Sequence, residues 1–274
     1  IALQIRAVSD TAFLLSPQAV QGSLAIGFCV IITLFSILFG TSRRAGRTQY
    51  DGLVMAIAFE SLVKLIAFLV VGAFAVYGAF GSFDGLDRWL QEQPELVASL
   101  KNTDYFSSFH VMVLLFFTAA VAMPHMFYVT LTGNNGQKAL SFASWGLPLY
   151  FLLLSLPVLP ILWAGLQSGS SVQVEYFPIV IGAAYQVPMI SLLAYLGGLS
   201  AASGLIIVIT LALSNMCLNH LILPIYQPKA NEDIYRWLLW KRRTLITAII
   251  WLGFLFHYLP SEKISIQVIG IVAF

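Results

Sequence analysis

Between Tyr176 and Pro228 the chain runs for 53 residues without an Asp, Glu, Lys or Arg. A single helix of that length would rise about 80 Å, against a bilayer hydrocarbon core of about 30 Å. The run therefore has to break or fold back, and the charges around it must show where. It cannot be the interior of a water-soluble domain: 59% of the 274 residues are hydrophobic and 9% are charged, too few polar side chains to cover such a surface. The chain is expected to be an all-α integral membrane protein.

Five other stretches are long and apolar enough to cross, at Ser23–Gly40, Gly52–Ala79, His110–Leu131, Ala143–Gly165 and Thr244–Leu259. Each is near the roughly 17–25 residues that a span needs. Partial spans stand at the two ends, Ile1–Leu15 and Ile266–Phe274. Neither resembles a signal peptide, because Ile1 is not a start methionine and Arg6 and Asp10 interrupt the first apolar run. Residues 1–274 are read as one transmembrane domain, a fragment cut inside helices at both ends.

The loops between these stretches differ in charge. Thr41–Asp51 holds Arg43, Arg44 and Arg47, Asn219–Arg243 holds Lys229, Arg236, Lys241, Arg242 and Arg243, and Thr132–Ser141 adds Lys138. Against these nine, Gly81–Phe109, Leu166–Val187 and Pro260–Ser265 contain only Arg88, Lys101 and Lys263. The positive-inside rule puts the first group on the cytoplasmic side. Two crossings within the long run would carry Lys241, Arg242 and Arg243 outside, whereas one keeps them inside. Pro178 and Pro188 bracket its first part and interrupt a continuous helix there. Phe177–Val187 is thus expected as an outer hairpin, a short interfacial helix or a re-entrant piece, with one crossing from Pro188 to Leu218. The total is six full spans and two partial ones.

No Gly-rich phosphate loop, Cys/His cluster at metal spacing or nucleophile elbow occurs, so this chain carries no catalytic site of a soluble enzyme. No nucleic-acid partner and no organic cofactor are expected. Cys29 and Cys217 both fall in spans and are expected to pack as thiols.

Residues that are costly in lipid mark function or architecture. Arg6 and Asp10 stand at i,i+4, as do Glu60 and Lys64, so each pair can meet on one helical face. A lone charge at the bilayer centre costs about 2.5–3.5 kcal/mol on insertion scales, so pairing is expected, either as part of an ion or substrate path or as a strut that orients helices. Thr118–His125 sets small residues before Pro124. Proline lacks a donor and frees a carbonyl one turn back, which makes either a simple kink or a broken helix whose freed groups bind a solute. In Gly197–Gly204, Gly198 and Ala202 form a small-xxx-small pair suited to close helix approach. Ser200 and Ser203 add hydroxyls, which can ligate a hard cation or bond a carbonyl one turn back.

The segments I-A-L-Q-I-R-A-V-S at Ile1–Ser9, M-P-H at Met123–His125 and S-A-A-S-G-L-I-I-V-I-T-L-A-L-S at Ser200–Ser214 resemble the sodium/solute symporter family. The proline permease branch looks nearest, in the form fused to a bacterial sensor histidine kinase. The resemblance covers essentially the whole chain. It implies an inverted-repeat transporter of the five-plus-five helix type, partial here, running from the third core helix to the tenth. It also implies a multi-pass protein of the bacterial inner membrane that couples uptake of a small organic solute, an amino acid by preference, to sodium or protons. The alternative function is a solute-sensing module that reports to a kinase domain in the same polypeptide.

The resemblance places substrate contacts at Phe116, Ala120 and Pro124. Aromatic residues are usual at the first two positions, and Ala120 departs from that, leaving room for a larger substrate side chain. It places a sodium site at the Gly197 carbonyl and at the side chains of residues 200 and 201. Ala201 cannot ligate through its side chain, so Ser200, Ser203 one turn on and the Gly197 carbonyl form the expected residual site. Asp51 matches an acidic residue of the family's ion path, and its position equally suits a helix N-cap.

Overall fold

The computed structural model describes residues 1–16, 18, 20–40, 48–101, 110, 111, 113, 114, 117, 118, 137–226 and 233–258. About 89% of the structure is helical, and no strand occurs among the described residues. Three helical stretches, Met55–Ala79, Ser141–Gln167 and Pro188–Ile225, are long and apolar enough to cross a membrane, and Gly22–Leu38 and Val174–Ala184 are shorter apolar helices. The chain folds as two compact units.

The first unit takes in residues 1–63, 127–133 and 198–273. Its helices are α1 (Ala2–Leu15), α2 (Gln21–Gly40), the start of α3 (Thr48–Phe74), the second half of α9 (Pro188–Cys217) and α10 (Ile234–Tyr258). α1, α2 and α10 pack against one another in pairs. Each helix gives one stripe to the core: Ile5 and Val8; Ala25, Cys29 and Ile32; Ala202, Ile206 and Leu211; Ile246 and Ile250. These spacings are the three- and four-residue steps of a helical face. The opposite face of α2 is just as apolar yet open, with Ile31 65% and Leu38 70% exposed. A helix hydrophobic all round suits a surrounding of lipid, where such side chains cost nothing. Cys29 is buried in this core, and both cysteines are free thiols.

α10 differs from expectation at its start. It begins at Ile234, ten residues before Thr244, with the Asp233 carboxylate accepting from the Tyr235 amide at 3.2 Å. The Lys241, Arg242 and Arg243 cluster is therefore inside a helix, not in a loop. The Lys241 ammonium lies 5.7 Å from the Trp237 ring centre and 5.9 Å from that of Tyr226, and the two rings are parallel at 6.2 Å. Aromatic rings with basic side chains are the composition of a bilayer–water boundary, and a helix need not stop there.

The second unit comprises residues 64–126, 134–197 and 274. Here α3 ends in a π-helical turn, Ala75–Ala79, followed by α4 (Phe83–Glu92), α5 (Pro94–Lys101), α6 (Gln137–Ser155), α7 (Val158–Gln167), a 3-10 turn (Val174–Tyr176), α8 (Phe177–Ala184) and the first turns of α9. Val71 and Ala75, Ile161 and Ala164, and Phe177 and Ile181 make its core. Gly72 and Gly165 permit close contacts within it: a Cβ at Gly72 would collide with Pro157, and one at Gly165 with the Phe177 ring. The expected span Ala143–Gly165 is one apolar stretch but two helices, divided at Leu156–Pro157. Pro157 has no N–H to continue the ladder of α6 and becomes the cap of α7. The stretch expected as an outer loop, Gly81–Phe109, contains α4 and α5. Ser82 caps α4 by accepting from the Gly85 amide at 3.1 Å, and Pro94 opens α5 at the position where proline loses nothing.

The long uncharged run divides between α8 and α9. With eight residues α8 rises about 12 Å, far short of a crossing. Its end is a closed turn: the Gln186 amide donates to the Ala183 carbonyl at 3.1 Å and the Val187 amide to Gly182 at 2.7 Å, with Gln186 at φ 59°. Two such bonds around a left-handed residue form a Schellman cap, and the Pro188 that follows cannot continue the helix. A second tie holds the turn, where the buried Ser191 hydroxyl donates to the Ile179 carbonyl at 2.6 Å. Tyr185 donates to the Gln167 side-chain carbonyl at 3.0 Å, and burial raises its phenol above the usual tyrosine range.

Of the remaining expected spans, His110–Leu131 is described at six residues, all helical, and Ile266–Phe274 lies outside the described residues.

Candidate functional site

The small-residue segment of α9 sits within a helix of 30 residues. Gly197 and Ser200 therefore lie on neighbouring turns, with Ser203 a further three residues on. Gly197 belongs to the second unit and is buried, and a Cβ placed there would stand 2.7 Å from the Cβ of Ala67 on α3. Its carbonyl lies within the helical ladder. Ser200 and Ser203 belong to the first unit. The Ser200 hydroxyl donates to the main-chain carbonyl of Glu60 on α3 at 3.3 Å, a long bond. Ser203 donates to the Ser200 carbonyl at 2.9 Å, the back-bonding that helical serines adopt in apolar surroundings. Both oxygens keep lone pairs after donating.

α3 meets this segment again at Gly204. Glu60 lays both carboxylate oxygens against the Gly204 α-carbon, in the volume that a Cβ would occupy. By contrast, Gly198, expected at a close helix approach, is exposed with nothing within 4 Å of where its Cβ would be. Helical phase explains the difference. Gly197 and Gly204 are seven residues apart and return to the same face after nearly two turns, while Gly198 is rotated by about 100°.

Glu60 and Lys64 were expected as a pair. Glu60 reaches α9, and the Lys64 ammonium lies 5.9 Å from the centre of the Tyr150 ring of α6, a cation–π contact. Arg6 and Asp10 do meet on α1, with Nε to Oδ2 at 3.5 Å and side chains 21% and 18% exposed. Asp51 is the fourth residue of α3, which begins at Thr48, so it is past the cap position. Phe116, Ala120 and Pro124, with the expected backbone break, lie outside the described residues.

Among the described residues no three His, Cys, Asp or Glu side chains cluster at metal-binding distance. The donors gathered at this place are two hydroxyls, main-chain carbonyls and one carboxylate. The sequence singles out both the hydroxyls and Glu60 but not their meeting, since Ser200 and Glu60 are 140 residues apart. The available signal was a single Glu in an apolar span, with a glycine face elsewhere to receive it. Compared with protein-family models, curated proteins and solved structures, the chain matches none.

Proposed function

We propose that the chain is the transmembrane domain of a secondary active transporter that carries a small organic solute, an amino acid by class, across the bacterial inner membrane together with sodium or protons. One observation carries this: within apolar helices, the ionisable Glu60 and the hydroxyl-bearing segment of α9 meet at Gly204. Intramembrane ionisable groups are retained where ions or substrates pass, because elsewhere their cost in lipid is not recovered. The resemblance of Ile1–Ser9, Met123–His125 and Ser200–Ser214 to sodium/solute symporters supports the same function and a partial five-plus-five inverted repeat.

In this proposal Phe116, Ala120 and Pro124 contact the solute, Gly197, Ser200 and Ser203 offer oxygens to a sodium ion, and Asp51 lies on the ion path. Six full spans and two partial ones cross the bilayer, with Phe177–Val187 outside. The alternative function remains a solute-sensing module that reports to a kinase domain in the same polypeptide. Uptake of labelled amino acids by the full-length protein in vesicles, with and without a sodium gradient, is the test. Gradient-driven accumulation is expected, and if sodium drives it, Ser200→Ala weakens the sodium stimulation. Absence of any solute movement under sodium or proton gradients overturns the proposal.

A further inference from the structure

We propose that α10 holds an anionic phospholipid, with the headgroup phosphate on the Lys241 ammonium and an acyl chain along the exposed face from Thr244 to Leu255. The site requires that the chain lies in a membrane, not that it transports. Two aromatic rings present the cation. The Lys241 ammonium lies 5.7 Å from the centre of the Trp237 ring and 5.9 Å from that of Tyr226, and the ring centres are 6.2 Å apart with planes 6° from parallel. These distances form a nearly equilateral triangle, so the ammonium sits beside the ring pair and not between the rings. Aromatic faces hold a cation without neutralising it, and an ammonium has three donors to offer an oxyanion. From Ile234 to Tyr258, α10 carries Arg236, Lys241, Arg242 and Arg243 and no acidic residue. Asp233, just before it, accepts from the Tyr235 amide at 3.2 Å and so serves the helix end.

Below the cation the same face continues as an apolar lane. Trp237, Lys241, Thr244, Ala248, Leu252 and Leu255 follow one another at steps of three or four residues, which puts them on one side of α10. From Thr244 onward all of them are exposed, Leu252 and Leu255 each 54%. Ile246 and Ile250, on the opposite side of the helix, form its buried stripe, so the lane points away from the core of the first unit. Thr244 to Leu255 rises about 17 Å, close to the about 15 Å of one leaflet's hydrocarbon layer. A positive charge at the head of an apolar lane of that length matches a phosphate ester that carries an acyl chain, whereas free phosphate has no use for the lane. Arg236, Arg242 and Arg243 add positive potential, which favours an anionic lipid over a zwitterionic one.

The test is native mass spectrometry of the full-length protein, delipidated in detergent and titrated with phosphatidylglycerol or with phosphatidylcholine of the same chains. Phosphatidylglycerol should bind more tightly, and Lys241→Gln should shrink that preference about fivefold, the worth of about one basic side chain at a membrane surface. Lys241→Arg should keep it. Arg88→Gln, on α4, removes the same charge outside the site and should leave the preference unchanged. Leu252→Ser should weaken both lipids alike. Equal binding of the two lipids overturns the proposal, as does a preference that survives Lys241→Gln or that falls equally in Arg88→Gln. Glycerol phosphate that displaces the whole lipid at equal concentration would reveal a free-anion site and would also overturn it. Circular dichroism checks each variant; should Lys241→Gln lose its helices, Leu252→Ser decides, and unchanged lipid binding there overturns the site. Binding is read without solute, so a protein that fails to transport still tests the site.

Discussion

Replacing Gly182 by alanine sets two effects of opposite sign against each other. Gly182 is in the last turns of α8, and alanine there gains helix propensity of about 1 kcal/mol. The added Cβ, however, would stand 2.5 Å from both the amide nitrogen and the hydroxyl of Ser191 and 2.9 Å from the Val187 carbonyl oxygen. Two of these three atoms are main chain, so no rotamer change relieves the contact. The turn must open, stretching the Val187–Gly182 and Ser191–Ile179 hydrogen bonds of 2.7 and 2.6 Å. Overpacking of this kind costs about 1–3 kcal/mol, and each weakened bond adds up to about 1 kcal/mol. The clash offsets or outweighs the propensity, leaving a net loss of about 0–4 kcal/mol, about 2 kcal/mol at the middle of the range. Equilibrium unfolding in mixed micelles, followed by circular dichroism, measures it. Gly198→Ala is the internal control: with open space around it, only propensity acts, and stability should hold or rise by up to about 1 kcal/mol. Equal stability changes at the two glycines would refute the account of the turn.

Ser82→Ala removes the cap of α4 and should cost about 0.5–2 kcal/mol locally, read as faster amide exchange at Gly85; unchanged exchange there would count against the cap. Ile250→Ala in the buried core of the first unit should destabilise by about 2–5 kcal/mol, whereas Ile31→Ala on the open face of α2 should have a far smaller effect, both measured by thermal unfolding. Tyr185 has a raised folded-state pKa, so its contribution to stability is complete below the ordinary tyrosine range and is lost as pH rises through the folded value. A pH series of melting temperatures should fall less steeply in Tyr185→Phe on the alkaline side, and parallel curves would remove Tyr185 as the cause.

Features that depend on neighbours in the chain were legible in the sequence. The length of apolar stretches gave the helices, and Pro188 with its flanking residues gave the division of the uncharged run. Arg6 and Asp10 meet because one turn of helix brings them together. Other local signals were present within the larger pattern: Ser82 and Pro94 announce α4 and α5 inside the loop Gly81–Phe109, and Pro157 announces the division into two helices of a stretch that is still long enough for one span. α10 starts ahead of its apolar stretch because basic side chains are comfortable at a helix end in the interface, so a basic cluster does not mark the edge of a helix.

What only the tertiary structure decided is which face of each helix meets another. In α2, α3 and α9 apolar residues surround the axis, so no amphipathic stripe marks the buried side. Gly197, Gly198 and Gly204 are equivalent as letters, and helical phase against α3 makes two of them contacts and leaves one open. The contact of Glu60 with α9 was hidden for the same reason. Sequence spacing offered Lys64, four residues away, while packing between α3 and α9 brought Gly204 to the carboxylate from the far end of the chain. Local sequence determines that such helices form, but their contacts rest on van der Waals fit over small residues, which is a property of two surfaces together.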